Sequence, residues 1–430
     1  MKPAASSPAP LPRIVEQSPA RTGAHHLPAV LERLAAAQRR LAARPRAEIV
    51  DIIAGVVGDW LVAGSPWMAR AAAQLPAATG FSPEMVRFAL PAMLEPLRRE
   101  ELASLLDEQA RGRVGPPLIL HVLPGNLPGL AAIPAGLSLA IGSAALLKPG
   151  RGDRVFPSLF IESVAARDGE LAAALAAPYW PGGERSCEDV ALAAADLVVA
   201  SGDEESVADL AQRRRDRFIG HGHRISFAVV TDDVDDIARS AVDLALDVAT
   251  WDQRGCLSPQ LAFIEGELDA AHAFGEQLAC QLHRQAVALP PAPMSIGERL
   301  AVRRWRDEAQ WASFDGEPYR LFVAGDEAAG TVVVEPRAAL RPTPLSRSIR
   351  VVPLASFDDL PRLLAPYARW LEGAGLAASE ERWRTYADRL EAAGVHLVSR
   401  LGAMQRPPLN WRHGGRPRVA DWCVGADRVE

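Results

Sequence analysis

One cysteine lies in a polar, glycine-containing turn between apolar stretches, in the run Trp251-Asp252-Gln253-Arg254-Gly255-Cys256-Leu257-Ser258-Pro259-Gln260. Only a thiolate is a strong nucleophile, so a reactive cysteine needs backbone N–H groups, a helix end or a nearby cation to lower an ordinary pKa of about 8.5. A turn between a predicted helix and a predicted strand can offer the first two. We therefore interpret Cys256 as a candidate catalytic nucleophile. The alternative is an inert small apolar residue, as most free cysteines are.

A second polar stretch favours the catalytic interpretation. The run His121-Val122-Leu123-Pro124-Gly125-Asn126-Leu127-Pro128 follows a predicted strand and places Asn126 between two prolines. Proline fixes its own backbone φ and restricts the residue before it, so the chain around Asn126 is constrained. A carboxamide held in this way is a good donor to a developing oxyanion.

A lysine is the third candidate. Of the 47 basic residues only Lys2 and Lys148 are lysine, and Lys2 lies in the N-terminal tail. Lys148 ends a predicted strand beside Pro149. A lysine ammonium is a compact donor to hydroxyl or phosphate oxygens, where a guanidinium is wider. Lys148 is thus a candidate cofactor ligand, and chance retention is the alternative.

These residues resemble the aldehyde dehydrogenase superfamily and, within it, the acyl-CoA reductase family that includes the bioluminescence fatty-acid reductase. Pro-Gly-Asn-Leu-Pro stands where the superfamily has Pro-Trp-Asn-Phe-Pro, which implies that Asn126 forms the oxyanion hole with the N–H of Cys256. Lys148-Pro149 comes 22 residues after Asn126 and matches the strand-end Lys-Pro that holds the adenosine ribose or phosphate of the cofactor. Cys256 comes 130 residues after Asn126, close to the family distance. The pattern Asp-Gln-x-x-Cys-x-Ser-Pro-Gln is typical of the acyl-CoA reductase branch.

The surrounding pattern predicts an α/β fold. Apolar periodicity indicates helices from Leu27 to about Gln109, one of which starts at Ser82-Pro83-Glu84. Strands and helices then alternate from residue 117 to 231, which predicts a parallel sheet with crossover helices. A second α/β unit follows Cys256, with strands at 331–335, 349–353 and 395–399 and helices at 268–289, 357–371 and 379–392. The resemblance implies an aldehyde dehydrogenase-like fold of two interleaved α/β domains, mostly parallel sheets and an N-terminal helical region.

The pattern also suggests domain boundaries. We expect a disordered tail at residues 1–24 and a cofactor-binding domain with N-terminal helices at 25–223. A catalytic domain that carries the cysteine is expected at 224–400. The C-terminal segment, 401–430, is expected to pack on the cofactor domain or on a partner subunit. Its Trp411-Arg412-His413-Gly414-Gly415 resembles the ending of the reductase family, with Gly414 in place of an expected aspartate.

The predicted strand ends indicate where a cofactor binds. Parallel sheets bind ligands beyond the carboxyl ends of their strands, and Ser201-Gly202 falls at such an end beside Asn126 and Lys148. Ser201-Gly202 also opens a helix, whose free N–H groups can meet a pyrophosphate. The alternative is a simple helix cap. The sequence has no Gly-x-Gly-x-x-Gly, which argues against an ordinary Rossmann dehydrogenase but fits the aldehyde dehydrogenase type.

Two histidines stand where the superfamily has Glu-Leu-Gly-Gly-Lys, whose glutamate activates the deacylating water. The run Gly220-His221-Gly222-His223-Arg224-Ile225-Ser226 contains no glutamate. His221 or His223 could act as general base or acid near neutral pH, or could orient the thiolate. The alternative is that at least one of them is a hydrogen-bonded strand-end residue. Glu335 stands roughly where the superfamily carries the glutamate that holds the nicotinamide ribose, without the surrounding Phe-Gly-Pro.

Composition excludes several classes of function. A net charge of −6 gives no general attraction to nucleic acid or to an anionic membrane. The longest apolar run, 127–147, is broken by prolines and glycines, so we expect no membrane span, no secretory signal and a cytoplasmic location. The four cysteines are far apart in the sequence and form no pattern typical of a metal site or a disulfide framework.

Three functions remain open. The first is an NADPH-dependent reductase in which Cys256 takes the acyl group of acyl-CoA or of an acyl-carrier protein and hydride then gives an aldehyde. The second is an NAD(P)-dependent aldehyde dehydrogenase, which needs a carboxylate to activate water. The third is a non-catalytic protein on the same fold. The reductase interpretation implies an acyl thioester as substrate, an acyl-carrier or acyl-transferring protein as partner, and a homo-oligomer.

Overall fold

The computed structural model describes residues 22–214, 216–325 and 328–423. Most of the predicted N-terminal tail therefore lies outside the described residues. The described chain begins with five packed helices: α1 Leu27–Leu41, α2 Arg46–Leu61, α3 Pro66–Thr79, α4 Pro83–Leu94 and α5 Arg99–Gln109. The predicted start of α4 is correct, because the Ser82 hydroxyl accepts the Met85 N–H at 3.1 Å and Pro83 opens the helix. This helical layer packs on the first of two sheets.

The first sheet has the strand order β3-β2-β1-β4-β5, and its neighbouring strands are parallel. Its strands are β1 Leu118–Val122, β2 Ala144–Lys148, β3 Leu175–Ala176, β4 Leu197–Ser201 and β5 Phe218–His221. Helices α6 Ala132–Ala140, α7 Phe156–Arg167, α8 Gly169–Ala173, α9 Arg185–Ala194 and α10 Glu204–Arg213 connect them. Buried aliphatic strands such as β2 are typical of a sheet covered on both faces.

The second sheet has the strand order β12-β11-β6-β7-β10-β9-β8 and is parallel except where β8 pairs with β9. Its strands are β6 Ile225–Val230, β7 Pro259–Glu265, β8 Arg320–Val323, β9 Thr331–Val334, β10 Ser348–Leu354, β11 Leu371–Ala377 and β12 Leu397–Arg400. Its helices are α11 Ile237–Ala249, α12 Leu268–Ala288, α13 Ile296–Phe314, α14 Leu360–Leu364 and α15 Glu380–Ala392. The predicted α/β class with mostly parallel sheets is thus confirmed. None of the helices within the described ranges is both long and apolar enough to cross a membrane.

The sequence misses one strand. The predicted helix over 357–371 is present as consecutive short helical segments from Phe357 to Trp370, α14 among them, but Leu371 begins the unpredicted strand β11. The run Leu371-Glu372-Gly373-Ala374-Gly375 is rich in glycine and alanine and has low intrinsic strand propensity. Burial between β6 and β12 makes it a strand, since no residue from Leu371 to Leu376 is more than slightly exposed.

Candidate active site

Cys256 lies in the connection between α11 and β7, as the sequence predicts, and its side chain is exposed. The turn therefore sits at the amino end of β7. The neighbouring parallel strands β6, β11 and β12 begin at the same edge of the sheet. This edge brings together side chains that are far apart in the sequence.

Two strained turns support the cysteine. Trp251, Asp252 and Gln253 all have positive φ, between 50° and 61°, and so do residues 345–347, with φ between 53° and 62°. The left-handed region costs an L-residue about 1 to 2 kcal/mol, so both turns need support. Gln253 supplies it by accepting the Ser348 N–H at 2.6 Å and donating to the carbonyls of Ser348 and Pro259.

A buried ion pair joins the same two turns. Arg347 is fully buried, and its Nε donates to Asp252 Oδ1 at 2.7 Å. The other Asp252 oxygen accepts the Ala292 N–H at 3.0 Å, and Arg347 Nη2 donates to the Leu289 carbonyl at 2.7 Å. Each turn is thereby held by polar groups of the other, which fixes the backbone at Asp252, four residues before Cys256.

Asn126 reaches this turn from the first sheet. It lies in the loop after β1, and its Nδ2 donates to the Arg254 carbonyl at 2.6 Å. A carboxamide carries two N–H donors, so one remains for a substrate oxygen beside Cys256. The structure therefore brings together Asn126 and Cys256, the two residues that the sequence predicts to form the oxyanion site.

Strands β6 and β11 contribute a serine and a carboxylate. Ser226 Oγ donates to the Cys256 carbonyl at 2.7 Å and accepts the Gly373 N–H at 3.0 Å. This serine ties the cysteine turn to β11 at the residue next to Glu372. The Glu372 side chain is fully buried, and its charge acts on Cys256.

Polar groups from three segments surround the Glu372 carboxylate. Its Oε1 accepts the Gly414 N–H at 2.9 Å. Its Oε2 lies 3.3 Å from Arg224 Nε and 3.9 Å from His396 Nδ1 but makes no hydrogen bond. Burial raises the pKa of Glu372 to about 7, although the Gly414 N–H and the two guanidinium groups of Arg224 and Arg418 lower it. The carboxyl is therefore close to half ionised at neutral pH.

The C-terminal segment brings a cation to the thiol. Arg418 lies 4.8 Å over the Trp411 ring and donates to the Leu409 carbonyl at 3.2 Å. Desolvation lowers the Arg418 pKa to about 10, so the group is charged at neutral pH. Surrounding protein also desolvates the accessible Cys256 thiol and raises its pKa to about 12. The Glu372 carboxylate adds to this rise, and Arg418 opposes it. The resting thiol is therefore protonated, and its reaction requires a proton acceptor.

The two predicted histidines differ in their surroundings. His221 ends β5 and stacks on His413, with ring centroids 4.2 Å apart and planes at 8°. Burial, followed by the charge of Arg418 and other arginines, lowers the His221 pKa to about 4, so its ring is neutral at pH 7. His223 is exposed. The structure thus places His221, and not His223, in the cluster that contains Arg418.

A cavity of about 530 Å³ opens at the carboxyl ends of β1, β2 and β4. Lys148, Ser201 and Gly202 all line it, in agreement with their predicted proximity. Burial lowers the Lys148 pKa, and the Glu188 carboxylate, which lines the same cavity, raises it. Pro149, the next residue in the chain after Lys148, is buried.

Bare backbone forms part of the cavity wall. Gly182 and Gly183 have open space within 4 Å of where a side chain would begin, and at Gly202 the nearest atom, Ser206 Cβ, is 3.9 Å away. The start of α10 adjoins Gly202, and Asp203 caps that helix by accepting the Ser206 N–H at 2.7 Å. A basic side chain beside glycine backbone and a helix N-terminus is an arrangement that can bind the pyrophosphate and ribose of a dinucleotide.

Glu335 lies apart from these groups. It follows β9 in the second sheet, is buried, and pairs with both Arg341 and Arg350. Among the described residues it does not line the cavity that contains Lys148. The position of Glu335 therefore does not support a contact with the nicotinamide ribose, and this contact stays a prediction.

Sequence reasoning missed Glu372 and Arg418. Glu372 lies on β11, a strand that the sequence analysis does not predict, and no spacing rule links it to Cys256. The available signal was a glutamate beside two glycines in an apolar run, which is unusual for a solvated helix face. Arg418 was one arginine among many in an arginine-rich chain. Its role depends on how the C-terminal segment packs, with the Val419 N–H donating to Gln109 at 3.2 Å.

Solved structures with the same fold belong to aldehyde dehydrogenases. Aldehyde dehydrogenase 21 from Physcomitrella patens, in complex with succinate, aligns with a TM-score of 0.70 at 14% identity and covers 94% of this chain and 90% of that one. The NADP-dependent glyceraldehyde-3-phosphate dehydrogenase from Bacillus halodurans C-125, complexed with NADP, aligns with a TM-score of 0.69 at 14% identity, over 88% and 83% of the two chains. At these identities the likeness shows the fold alone.

Sequence relatives are more specific. The long-chain acyl-protein thioester reductase of Aliivibrio fischeri is 23% identical over 295 residues, which are 66% of this chain and 58% of that protein. The long-chain acyl-protein thioester reductase 2 of Photobacterium leiognathi is 23% identical over 298 residues, 66% of this chain and 59% of that protein. The chain thus spans less than two thirds of the length of these relatives. A family model described as acyl-CoA reductase (LuxC) matches residues 41–420. The chain therefore belongs to the acyl-CoA reductase (LuxC) family.

Proposed function

We propose that this protein reduces an acyl thioester to an aldehyde, with NADPH as reductant and an acyl-Cys256 intermediate. The observation that carries the proposal is the position of Cys256, exposed and linked through Asn126 to the loop that borders the cavity lined by Lys148. Membership of the acyl-CoA reductase family supports the same reaction. Asn126, Cys256, Lys148 and Ser201-Gly202 keep the roles that the sequence suggests.

The residues of the turn support acyl transfer. The Cys256 sulfur attacks the thioester carbon, and the free Asn126 N–H and the Cys256 N–H donate to the oxyanion that forms. Ser226 holds the Cys256 carbonyl at 2.7 Å, which fixes the direction of the backbone at the nucleophile. Arg418 favours the thiolate, since its charge lowers the thiol pKa.

The cavity fits a nicotinamide dinucleotide, which when bound supplies hydride. Lys148 would hold the adenosine ribose or its phosphate, and the backbone at Ser201-Gly202 would contact the pyrophosphate. NADPH is our choice because an ammonium favours an added phosphate. Glu188 acts on the same ammonium, so the ratio of kcat/KM for NADPH and NADH is the measurement that decides the nucleotide.

Substrate delivery is a further part of the proposal. The named relatives are acyl-protein thioester reductases, which supports an acyl group carried by a protein as well as acyl-CoA. We propose an acyl-carrier or acyl-transferring protein as donor and a homo-oligomer as the working form. Neither the acyl chain length nor the donor follows from the residues around Cys256.

The experiment is a pair of measurements on the parent enzyme and on Cys256→Ala. NADPH oxidation is followed with a panel of acyl-CoA and acyl-carrier substrates, and intact mass reports the acyl adduct. The proposal expects both signals in the parent and neither in Cys256→Ala. An acyl adduct on the variant would move the nucleophile elsewhere.

Oxidation of an aldehyde is the second candidate, because Glu372 supplies the carboxylate that the run from Gly220 to Ser226 lacks. Aldehyde oxidation through an acyl-cysteine ends with attack by water, and a carboxylate with one oxygen that accepts no hydrogen bond could activate it. Family membership favours reduction. Product analysis of the acyl-enzyme separates the two candidates, since hydrolysis releases free acid.

A further inference from the structure

Glu372 is a buried carboxylate close enough to Cys256 for its charge to act on the thiol, and nothing in the sequence motifs points to it. It stands at the amino end of β11, next to the strand that carries Ser226. The Ser226 hydroxyl contacts both the Cys256 carbonyl and the Gly373 N–H, so the cysteine turn and the residue after Glu372 share one side chain. The Glu372 charge acts directly on the Cys256 thiol.

The two oxygens of the carboxylate differ in their contacts. Oε1 accepts the Gly414 N–H, whereas Oε2 is buried, forms an ion pair with Arg224 at 3.3 Å and accepts no hydrogen bond. Two nearby nitrogen atoms, Arg224 Nε and His396 Nδ1, also lack hydrogen-bond partners. A buried polar atom without a partner costs about 1 to 3 kcal/mol, so its retention calls for a reason.

We propose that Glu372 is a catalytic residue, the base that takes the proton of Cys256 and returns it to the departing thiol. The proposal deepens the acyl-thioester reaction and rests on it. In the first step Oε2 accepts the thiol proton, directly or through one water, while the Cys256 sulfur bonds to the acyl carbon. In the second, the bond from that carbon to the donor sulfur breaks, and this sulfur takes the proton from Glu372. Thioester exchange is complete, no electrons are gained or lost, and the carboxylate is restored.

The charges around Glu372 suit this role. Arg224 comes from the segment before β6, His396 from the segment before β12, and Arg418 and His413 from the C-terminal segment. Burial lowers the pKa of His396 and His413, so both rings are neutral at pH 7. The two arginines keep the carboxyl partly ionised against the desolvation that raises its pKa to about 7. A base with a pKa near the working pH transfers protons efficiently in both directions.

A purely electrostatic role makes the opposite prediction from a catalytic one. The Glu372 charge raises the thiol pKa, so a carboxylate that only repels the thiolate slows any reaction of Cys256. Removing such a charge would make the thiol more reactive. Removing a base that accepts the thiol proton would make the thiol less reactive. The sign of the change in thiol reactivity therefore distinguishes the two roles.

The test measures alkylation of Cys256 by iodoacetamide between pH 5.5 and 9, in a Cys280→Ser background. Cys280 is the other exposed cysteine within the described residues, so its removal leaves one accessible thiol. The proposal expects the parent rate to rise through a pKa near 7. In Glu372→Gln this step is lost and the rate at pH 8 falls about 10²-fold, at the lower end of the range of general base catalysis. Glu265→Gln is the matched control, because Glu265 ends β7 at the opposite edge of the same sheet. Its rate and pH profile should match the parent.

Glu372→Asp keeps a carboxyl one methylene shorter and covers the case in which Glu372→Gln does not fold. The proposal expects a slower rate in Glu372→Asp with the step near neutral pH retained. A faster rate in either variant, or a parent rate that rises only toward the thiol pKa, would overturn the proposal. The assay contains no acyl donor and no nucleotide. Its failure therefore removes Glu372 as base without touching the reductase assignment, and failure of the reductase assay leaves this result standing.

Discussion

The ion pair between Arg347 and Asp252 should carry a large share of the stability of the nucleophile turn. In Arg347→Met an unbranched apolar chain replaces the stem of the arginine, while Asp252 loses its partner at 2.7 Å and the Leu289 carbonyl loses its donor. Both partners are buried, so water cannot replace the lost contacts without opening the structure.

The magnitude follows from these contacts. Removal of one partner from a buried ion pair costs about 3 to 5 kcal/mol, and a buried carbonyl left without a donor adds about 1 to 3 kcal/mol. We expect Arg347→Met to lower the free energy of unfolding by about 4 to 8 kcal/mol, against a total of about 5 to 15 kcal/mol for a typical folded domain. The double variant Arg347→Met, Asp252→Asn should recover part of this loss, because no uncompensated charge remains.

Urea unfolding followed by circular dichroism measures the change, and Arg70→Met is the control. Arg70 and Glu162 form a pair whose side chains are 27% and 28% exposed. Removing such a pair should cost about 1 kcal/mol or less. If Arg347→Met lowers the free energy of unfolding no more than Arg70→Met does, the Arg347–Asp252 pair does not stabilise the two left-handed turns and our account of the turn is wrong.

Four further predictions follow from the site. Asn126→Ala should lower kcat by about 10² to 10³ with little change in NADPH affinity, as loss of one oxyanion donor does; near-normal steady-state kcat would remove Asn126 from the site. Lys148→Ala should weaken NADPH binding about 10- to 100-fold, the loss of one charged hydrogen bond, while Cys256 still acylates, and nucleotide titration of Lys148→Ala and Lys148→Arg checks it. Arg418→Met should slow alkylation of Cys256 at pH 8, because Arg418 lowers the thiol pKa; an unchanged rate would place its charge too far away to matter. Glu372 has a folded-state pKa of about 7 against an ordinary 4.5, so its ionisation destabilises the folded protein progressively as pH rises from about 4.5 to 7. At about 1.4 kcal/mol per pKa unit, the free energy of unfolding of Glu372→Gln at pH 8 should exceed that of the parent by about 3 kcal/mol. Urea unfolding near pH 4 should show no such difference.

Much of the fold could be predicted from periodicity. Strand β1, strand β2 and the loops that follow them were expected because apolar runs there end at Pro124 and Pro149, residues that interrupt strands. The same reasoning placed Cys256 between a helix and a strand. These predictions depend on short-range patterns, which a single sequence displays directly.

The missing strand could not be predicted in this way. β11 contains two glycines and two alanines, and it is a strand only because β6 and β12 pair with it on both sides. Such pairing is a property of the tertiary structure. Sequence patterns therefore gave no sign of Glu372. The run from Gly220 to Ser226 has no glutamate, and Glu372 places a carboxylate near Cys256 from a different strand.

The long-range supports of the turn were also outside the reach of the sequence. Asp252 and Arg347 are 95 residues apart in the sequence. Both lie in turns in which residues other than glycine have positive φ, so the sequence gives no sign of the left-handed backbone. Arg418 lies still further from Cys256 along the chain. Spacing rules describe neighbours on one element, whereas these contacts join separate segments.

The central claim is that acyl-Cys256 is discharged by reduction, and product analysis of the isolated acyl-enzyme tests it most directly. The parent protein is acylated in a single turnover, freed of excess donor, and divided into samples with and without NADPH. We expect a long-lived acyl-Cys256 without nucleotide and its conversion to aldehyde when NADPH is added. Rapid release of free acid in both samples would contradict the reductase assignment and would favour hydrolysis at the same cysteine.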